Sequence, residues 1–373
     1  MNARQRRLKA LIIKEFLQIR RDPSSLAIAF VMPVFLLLLF GYGVSLDAKH
    51  VPIGWVIAKS TPETIGFSAA FEGSEYFIPH HYADMPAAIR AMQQRKIRVI
   101  IRLREDFSRE LFKQNSPAIQ VIVDGVDANT ARLVSGYVQG AWSQWLTHQA
   151  ALRGISLSLP VVAEQRIWYN SAVVSKHFLV PGLIAVIMTL IGALLTALVV
   201  AREWERGTME AMIATPATLA EVLLGKLIPY YLLGMGGMLL SIAMAVFLFE
   251  VPLRGSFWLL PATGTLFLLA ALGMGLLISI TAKNQFVAGQ VAIVATFLPA
   301  FILSGFIFDI DSMPLVVQGI THLIAARYFV AILQTVFLAG DVWAVILPNA
   351  LALLLMAAFF LGLAAKKAPR RLE

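Results

Sequence analysis

Between positions 202 and 210 the chain reads Arg202-Glu203-Trp204-Glu205-Arg206-Gly207-Thr208-Met209-Glu210, directly after an uncharged apolar run from about Phe178 to Ala201. Alternating charge at this density marks a contact surface on one side of a membrane. Such groups are costly in hydrocarbon, so the cluster predicts a water boundary where a membrane span ends. Beyond it, Met209, Met212, Ile213, Pro216 and Leu219 lead to Gly225-Lys226. Charge beside exposed apolar residues suits a short helix seated in a soluble partner's groove, and the residue types fit a solvated juxtamembrane loop equally well.

Bond-making chemistry finds no constellation in the sequence. Gly225-Lys226 is followed by Leu227 and lacks the upstream glycine of a phosphate-binding loop, so no ATP site is expected. Neither a Gly-x-Ser-x-Gly elbow nor a His-Glu-x-x-His pair occurs. Only His80 and His81 adjoin, and neighbours on a strand point to opposite faces, which argues against a shared metal. No catalytic residue, no metal site and no cofactor in this chain is expected. Ion-coupled carriers place acidic groups or histidine inside their spans; here only Glu250 and Asp341 approach the ends of the later ones, so energy for any transport should come from another polypeptide.

The elements that must position the cluster follow from composition. Hydrophobic residues make up 58% of the chain and charged ones 14%, which is too apolar for a soluble protein. Runs of the roughly 20 residues needed to cross a bilayer lie near 25–46, 178–201, 227–249, 257–281, 286–308 and 342–365. Lys and Arg concentrate in residues 1–24 and in the tail 366–373, which puts both termini in the cytoplasm and requires an even number of spans. The net charge of +9 is explained by orientation and anionic membrane lipid, not by nucleic acid. Residues 1–24 carry Leu8, Leu11, Ile12, Phe16 and Ile19 near a 3.6-residue rhythm, an amphipathic interfacial helix or a plain basic flank, ended by Asp22-Pro23.

Residues 47–177 have ordinary polarity and alternate strand-like runs (51–58, 76–82, 97–103, 118–124, 161–169) with helix-like ones (62–72, 84–95, 105–114, 127–153). The predicted fold is therefore an α-helical polytopic membrane protein of six transmembrane helices with an inserted extracytoplasmic α/β domain. Residues 178–365 hold spans two to six, with a cytoplasmic loop at 202–226. Segment 309–340, which contains Asp309, Asp311, His322 and Arg327, is expected to dip in and return, Met313-Pro314 opening a helix. Gly237, Ser241 and Ala245 recur every four residues, a stripe that serves either packing within one subunit or association of two.

The order Arg-Glu-x-Glu-Arg-Gly-Thr-x-Glu resembles the signature that follows the second span of ABC-2 type transporter permeases, the drug-efflux-like branch with a large external domain between spans one and two. Ser304-Gly305-Phe306, Met313-Pro314 and Ala326-Arg327-Tyr328-Phe329 are similar to the family's pattern near its fifth span and re-entrant exit helices, with Gly340 before the sixth. The resemblance implies that Arg202, Glu203, Glu205, Arg206, Gly207, Thr208 and Glu210 couple to a separate ABC ATPase subunit, which binds the ATP and magnesium. It implies an exit gate at Ser304, Gly305, Phe306, Met313, Pro314 and Arg327, and a second permease copy or paralogue. By analogy it extends to a periplasmic membrane-fusion adaptor and to the bacterial inner membrane. The nearly uncharged spans favour hydrophobic or amphipathic cargo, with Met188, Phe297 and Phe301 as candidate path residues. A rival function is a membrane-anchored receptor or assembly protein whose α/β domain senses an external ligand, and a third is a secondary carrier.

Overall fold

A computed structural model describes residues 3–43, 50–111, 119–126, 128–154, 169–170, 174–208, 215–216 and 218–367. Along the chain run helices α1 (Ala3–Arg20) and α2 (Pro23–Gly43), then β1 (Val51–Ile57), α3 (Pro62–Glu72), β2 (Phe77–Tyr82), α4 (Met85–Gln93), β3 (Val99–Leu103), the single turn α5 (Phe107–Glu110), β4 (Ile119–Val123) and α6 (Ala128–Leu152). The remainder is helical: α7 (Ser175–Glu205), α8 (Leu219–Phe247), α9 (Leu259–Ala282), α10 (Gln285–Leu303), α11 (Leu315–Thr321), α12 (Ala325–Ala339) and α13 (Trp343–Lys367). Two compact units result, residues 45–166 and the rest.

Among the described residues of the larger unit, six helices (α2, α7, α8, α9, α10 and α13) are long and apolar enough to cross a membrane, while α11 and α12 form a pair bent by 85°. Its axis is α7, the most enclosed of the six: 94% of its most apolar window is buried, against 17% for α13. Helices α2, α8, α9, α10 and α12 all pack on it. Two proline effects shape the neighbours. Pro33 and Pro299 each lack an N–H, and each ring crowds the carbonyl four residues earlier. Both helices widen there into a π-turn, at Ala27–Val31 and Ile293–Phe297.

Close packing depends on small residues at the crossings. A Cβ on Gly237 would lie 2.2 Å from the carbonyl oxygen of Ala29 in the widened turn of α2. Ser241 and Ala245 on the same stripe are buried as well. The stripe thus packs within this chain, the first of the two uses its spacing allows.

The smaller unit is a four-stranded sheet in the order β2-β1-β3-β4, parallel except for β4. Alternation places Trp55, Val99 and Ile101 on one face, where they meet Phe67 and Phe71 of α3 and Val134, Val138 and Trp145 of α6. The rings of Trp55, Phe67 and Phe71 meet edge-on at 5.2–5.6 Å, an arrangement favoured by aromatic quadrupoles. The other face, with Val56 and Ile100, is covered by Ala88 and Ala91 of α4.

The boundaries differ from the sequence expectation in three places. Helix α7 continues through the charged cluster to Glu205, and α8 begins at Leu219 instead of near 227, so much of the expected loop 202–226 is helical. The physical reason is that these charges are neutralised inside the structure, as described below, and that Thr218 and Glu221 form a capping box which starts α8 early. The expected helix 105–114 closes a single turn, Phe107–Glu110. Most of the strand-like run 161–169, and residues 112–118, lie outside the described residues.

Replacing Gly237 by Val should lower stability by about 1–3 kcal/mol, because the colliding atom is backbone and cannot rotate away. Gly362→Ala, where an added Cβ meets open space, should leave it unchanged or slightly higher. Thermal unfolding of both variants in detergent checks the pair.

Candidate functional site

At the carboxyl end of α7, successive residues of the cluster bind different elements. Arg202 donates to Asp22, which joins α1 to α2, at 2.6 Å. Glu203 Oε1 accepts from Lys14 of α1 at 2.9 Å and from Lys226 of α8 at 3.1 Å. The Trp204 ring lies under the Lys283 ammonium, 5.1 Å from its centroid. Glu205 accepts from the backbone N–H of Gln285 at 2.8 Å, bonding the first residue of α10. Four neighbouring side chains thus hold α1, the start of α2, α8, the α9–α10 turn and the start of α10.

The centre of this clasp is a four-charge group. Lys226 also donates to Glu15 at 2.8 Å, and Lys14 to Glu15 at 3.1 Å. Glu15, Glu203 and Lys226 are each at most 3% exposed. Two lysines face two glutamates, so the formal charges of the group cancel. That balance is what lets charge enter the end of an apolar bundle. Burial opposes charge on Lys14, but the adjacent Glu15 and Glu203 carboxylates outweigh it and raise its pKa. For Asp22, burial is likewise outweighed by hydrogen bonds from Arg202 and Ser25 and by the Arg202 charge, and its pKa is lowered.

Two further contacts fix α1 along its length. Arg7 grips Glu221 with both ends of its guanidinium fork, at 3.0 and 3.3 Å. An added Cβ on Gly225 would lie 2.8 Å from Leu11 Cβ, so glycine there permits α1 to lie against α8. Leu8, Leu11, Ile12 and Ile19 of the expected apolar face point toward the protein to differing degrees, whereas Phe16 is exposed with Ile13 and Leu17.

The expectation of an exposed charged surface is therefore corrected at Glu203, whose carboxylate is spent inside the chain. Arg206, Gly207 and Thr208 are exposed. Gly207 has φ +67° and ends α7, its N–H donating to the Trp204 carbonyl at 3.1 Å. The Thr208 hydroxyl donates back to the Glu203 carboxylate. Glu210 lies outside the described residues. Lys14, Glu15, Asp22, Glu221, Lys226 and Gln285 were not singled out as site residues. Asp22-Pro23 reads as a helix end alone, and the Thr218-x-x-Glu221 capping spacing offers a local signal for Glu221; the partners themselves lie up to 214 positions away.

Of the expected gate residues, Phe306 lies toward the other end of α7. Phe306 is buried against Gly182, where an added Cβ would lie 2.3 Å from its ring, and Gly305 has φ +82°. Ser304 is buried, and its hydroxyl has no partner among the described residues. Pro314 precedes α11 as its cap, with Met313 just before it. Arg327 of α12 reaches back to the Thr321 hydroxyl, the Gln318 carbonyl and His322 Nδ1, so it braces the α11–α12 bend. Gly182 and Glu203 are 21 residues apart on one helix, a rise of about 30 Å, so Phe306 and the clasp are well separated. Of the path candidates, Met188 is fully buried, while Phe297 and Phe301 are partly buried with ring centroids 5.8 Å apart. A small cavity of about 40 Å³ lies near them, lined by Thr189, Ala193, Met274, Thr296 and Pro299, but by none of those three.

Breaking the clasp by Lys226→Met leaves two buried carboxylates short of a cation and should cost about 3–5 kcal/mol, read as a fall in unfolding midpoint. Because the Asp22 pKa is lower in the folded chain, its contribution is present above the ordinary carboxylate range and lost as pH falls through the folded value. Asp22→Asn should therefore reduce stability by about 1–2 kcal/mol at neutral pH and remove part of the acid-side loss below roughly pH 4, seen by comparing unfolding curves across pH.

Comparison with known proteins agrees with this arrangement of spans. A family model described as "ABC-2 family transporter protein" matches residues 23–366. The probable multidrug ABC transporter permease YbhS of Escherichia coli (strain K12) is 47% identical over 369 residues, covering 99% of this chain and 98% of that one. The probable multidrug ABC transporter permease YbhR of the same strain is 28% identical over 336 residues, covering 89% and 90%. The inner membrane transport permease YhhJ is 26% identical over 269 residues, 71% of each chain. Members of this family are the membrane subunits of transporters, and by its own sequence and span-length helices this chain belongs to the ABC-2 transporter family.

Proposed function

We propose that this chain is the permease subunit of an ABC exporter in a bacterial inner membrane, moving a hydrophobic or amphipathic compound outward under the drive of a separate ATPase subunit. The observation that carries the reading is the clasp at the end of α7. A push on α1 or on the end of α7 reaches α8 and the start of α10 through ion pairs and the hydrogen bond from the Gln285 N–H to the Glu205 carboxylate. That geometry suits rigid-body conversion of ATPase closure into helix motion.

In this proposal the clasp end is cytoplasmic, as are both termini, and the ATPase docks on the exposed part of the cluster, at Arg206, Gly207 and Thr208. Residues 45–166 lie outside, where a membrane-fusion adaptor engages them, and two permease chains or a chain and a paralogue pair in the membrane. The bent α11–α12 pair, with Phe306 against Gly182, is the outer gate. Multidrug is the word in the names of YbhS and YbhR, and the nearly uncharged spans of this chain favour cargo of the same broad kind.

Purification with its ATPase subunit is the direct measurement: the complex should hydrolyse ATP and the chain alone should not. Arg206→Glu, at an exposed position outside the buried group, should reduce cargo-stimulated hydrolysis about tenfold, roughly 1.4 kcal/mol of coupling, with an unchanged unfolding midpoint. Hydrolysis by the isolated chain, or failure of any ABC ATPase to bind it, would end the proposal.

A further inference from the structure

The smaller unit carries a crevice that the export reading does not use. Strand β1 sits between β2 and β3 and is parallel to both. The chain therefore leaves β1 toward one side and reaches β3 on the other, and the connections after the two strands part at their carboxyl ends. In open sheets such a switch point is where ligands settle. Here it is an open crevice of about 630 Å³ whose charged and hydroxyl side chains are Lys59, Thr61, Arg102, Arg104, Ser108 and Arg109, with Glu105 and Asp106 at its wall.

Charge and chemistry narrow the occupant. Four cations face two carboxylates across the lining. Arg104 is tethered by Asp106 at 2.7 Å and Arg109 by the neighbouring Glu110 at 3.3 Å, contacts that fix the guanidiniums while leaving some of their N–H groups open. Lys59 and Arg102 have no acidic partner among the described residues and are exposed. Thr61 and Ser108 share a 2.6 Å hydrogen bond beside them. The first turn of α3 is not the attraction, since its own Glu63 already sits there and is held by Arg153 at 2.6 Å. Apolar cargo finds little to bury against in this wall, whereas a tetrahedral oxyanion can take donors from several directions at once.

We infer that the crevice at the carboxyl ends of β1 and β3 binds a phosphate group, either of a soluble phosphate ester or of an anionic lipid headgroup, with Lys59 and Arg102 as the principal cations. The site is independent of the clasp and of ATP use.

Calorimetric titration of the full chain in neutral detergent tests it, using inorganic phosphate, glycerol 3-phosphate and, separately, dioctanoyl phosphatidylglycerol with dioctanoyl phosphatidylcholine as the zwitterionic control. At least one anionic probe should saturate at one site per chain, and Lys59→Gln with Arg102→Gln should weaken it at least tenfold. Arg90→Gln, on α4 outside the crevice, should bind as the parent does. Binding of the soluble ions identifies a free phosphate ester as the source, and binding of the anionic lipid alone identifies a headgroup. Should the double variant fail to fold, Arg109→Gln should still weaken the same probe by about threefold. Absence of saturable binding by every anionic probe, equal binding of the phosphatidylcholine control, or affinity unchanged in the crevice variants would overturn the inference.

Discussion

Glu203 is a carboxylate at the end of a buried apolar helix, and the larger unit is arranged around the need to neutralise it. One ammonium would be sufficient for charge, yet two reach the same oxygen, and the second carboxylate of Glu15 balances the excess. Removing Glu15, Glu203 or Lys226, the three buried members, leaves an uncompensated buried charge. Helices α1, α7 and α8 must therefore converge at this point. The capping box at Thr218, the glycine at 225 and the turn at Asp22 follow as the local chemistry that makes their convergence geometrically feasible.

The consequence is mechanical. Helix α1 is fastened near one end by Arg7 to Glu221, in the middle by Lys14 to Glu203 and Glu15 to Lys226, and the turn just past its other end by Asp22 to Arg202. From residue 7 to residue 22 is about 22 Å of helical rise, so three fastenings along that length resist both rotation and sliding. A helix held only by its apolar face could roll over a smooth neighbour at little cost. Ion pairs with directional hydrogen bonds allow fewer arrangements, which is the property a transmitted displacement needs.

Much of the architecture was legible because it rests on local periodicity. Six apolar runs and the alternation between residues 51 and 153 arise from side-chain spacing along single elements, and a sequence displays that directly. The clasp was only half legible. The density of charge after residue 201 marked the place, but its partners Lys14 and Lys226 read as ordinary topogenic cations at span ends. Nothing local to Glu203 distinguishes a carboxylate facing water from one facing Lys226 across 23 positions of chain. The same limit applied to Gly237, Ser241 and Ala245, where spacing announces close approach and cannot say to what; the Ala29 carbonyl answers it. Phe306 was readable as a conspicuous residue of a motif, but its seat on Gly182 depends on a contact 124 positions away.

Burial within the larger unit also orders what can move. Helix α7 is enclosed by its neighbours, while α2, α10 and α13 present most of their apolar surface outward. Displacing α7 would disturb its packing with α2, α8, α9, α10 and α12 at once. Shifting α2 or α10 against it disturbs one face of each, and both contain a proline-induced wide turn where the backbone ladder is already interrupted. The clasp grips these two helices only at their near ends, through Asp22 and the Gln285 N–H. A displacement applied at the clasp therefore enters α2 and α10 at their near ends and passes through the wide turns, beyond which α2 still packs through Gly41 on Phe249 and through Phe40 on Phe301 of α10. Bending in those two helices, with α7 as a fixed post, is the motion that the packing opposes least.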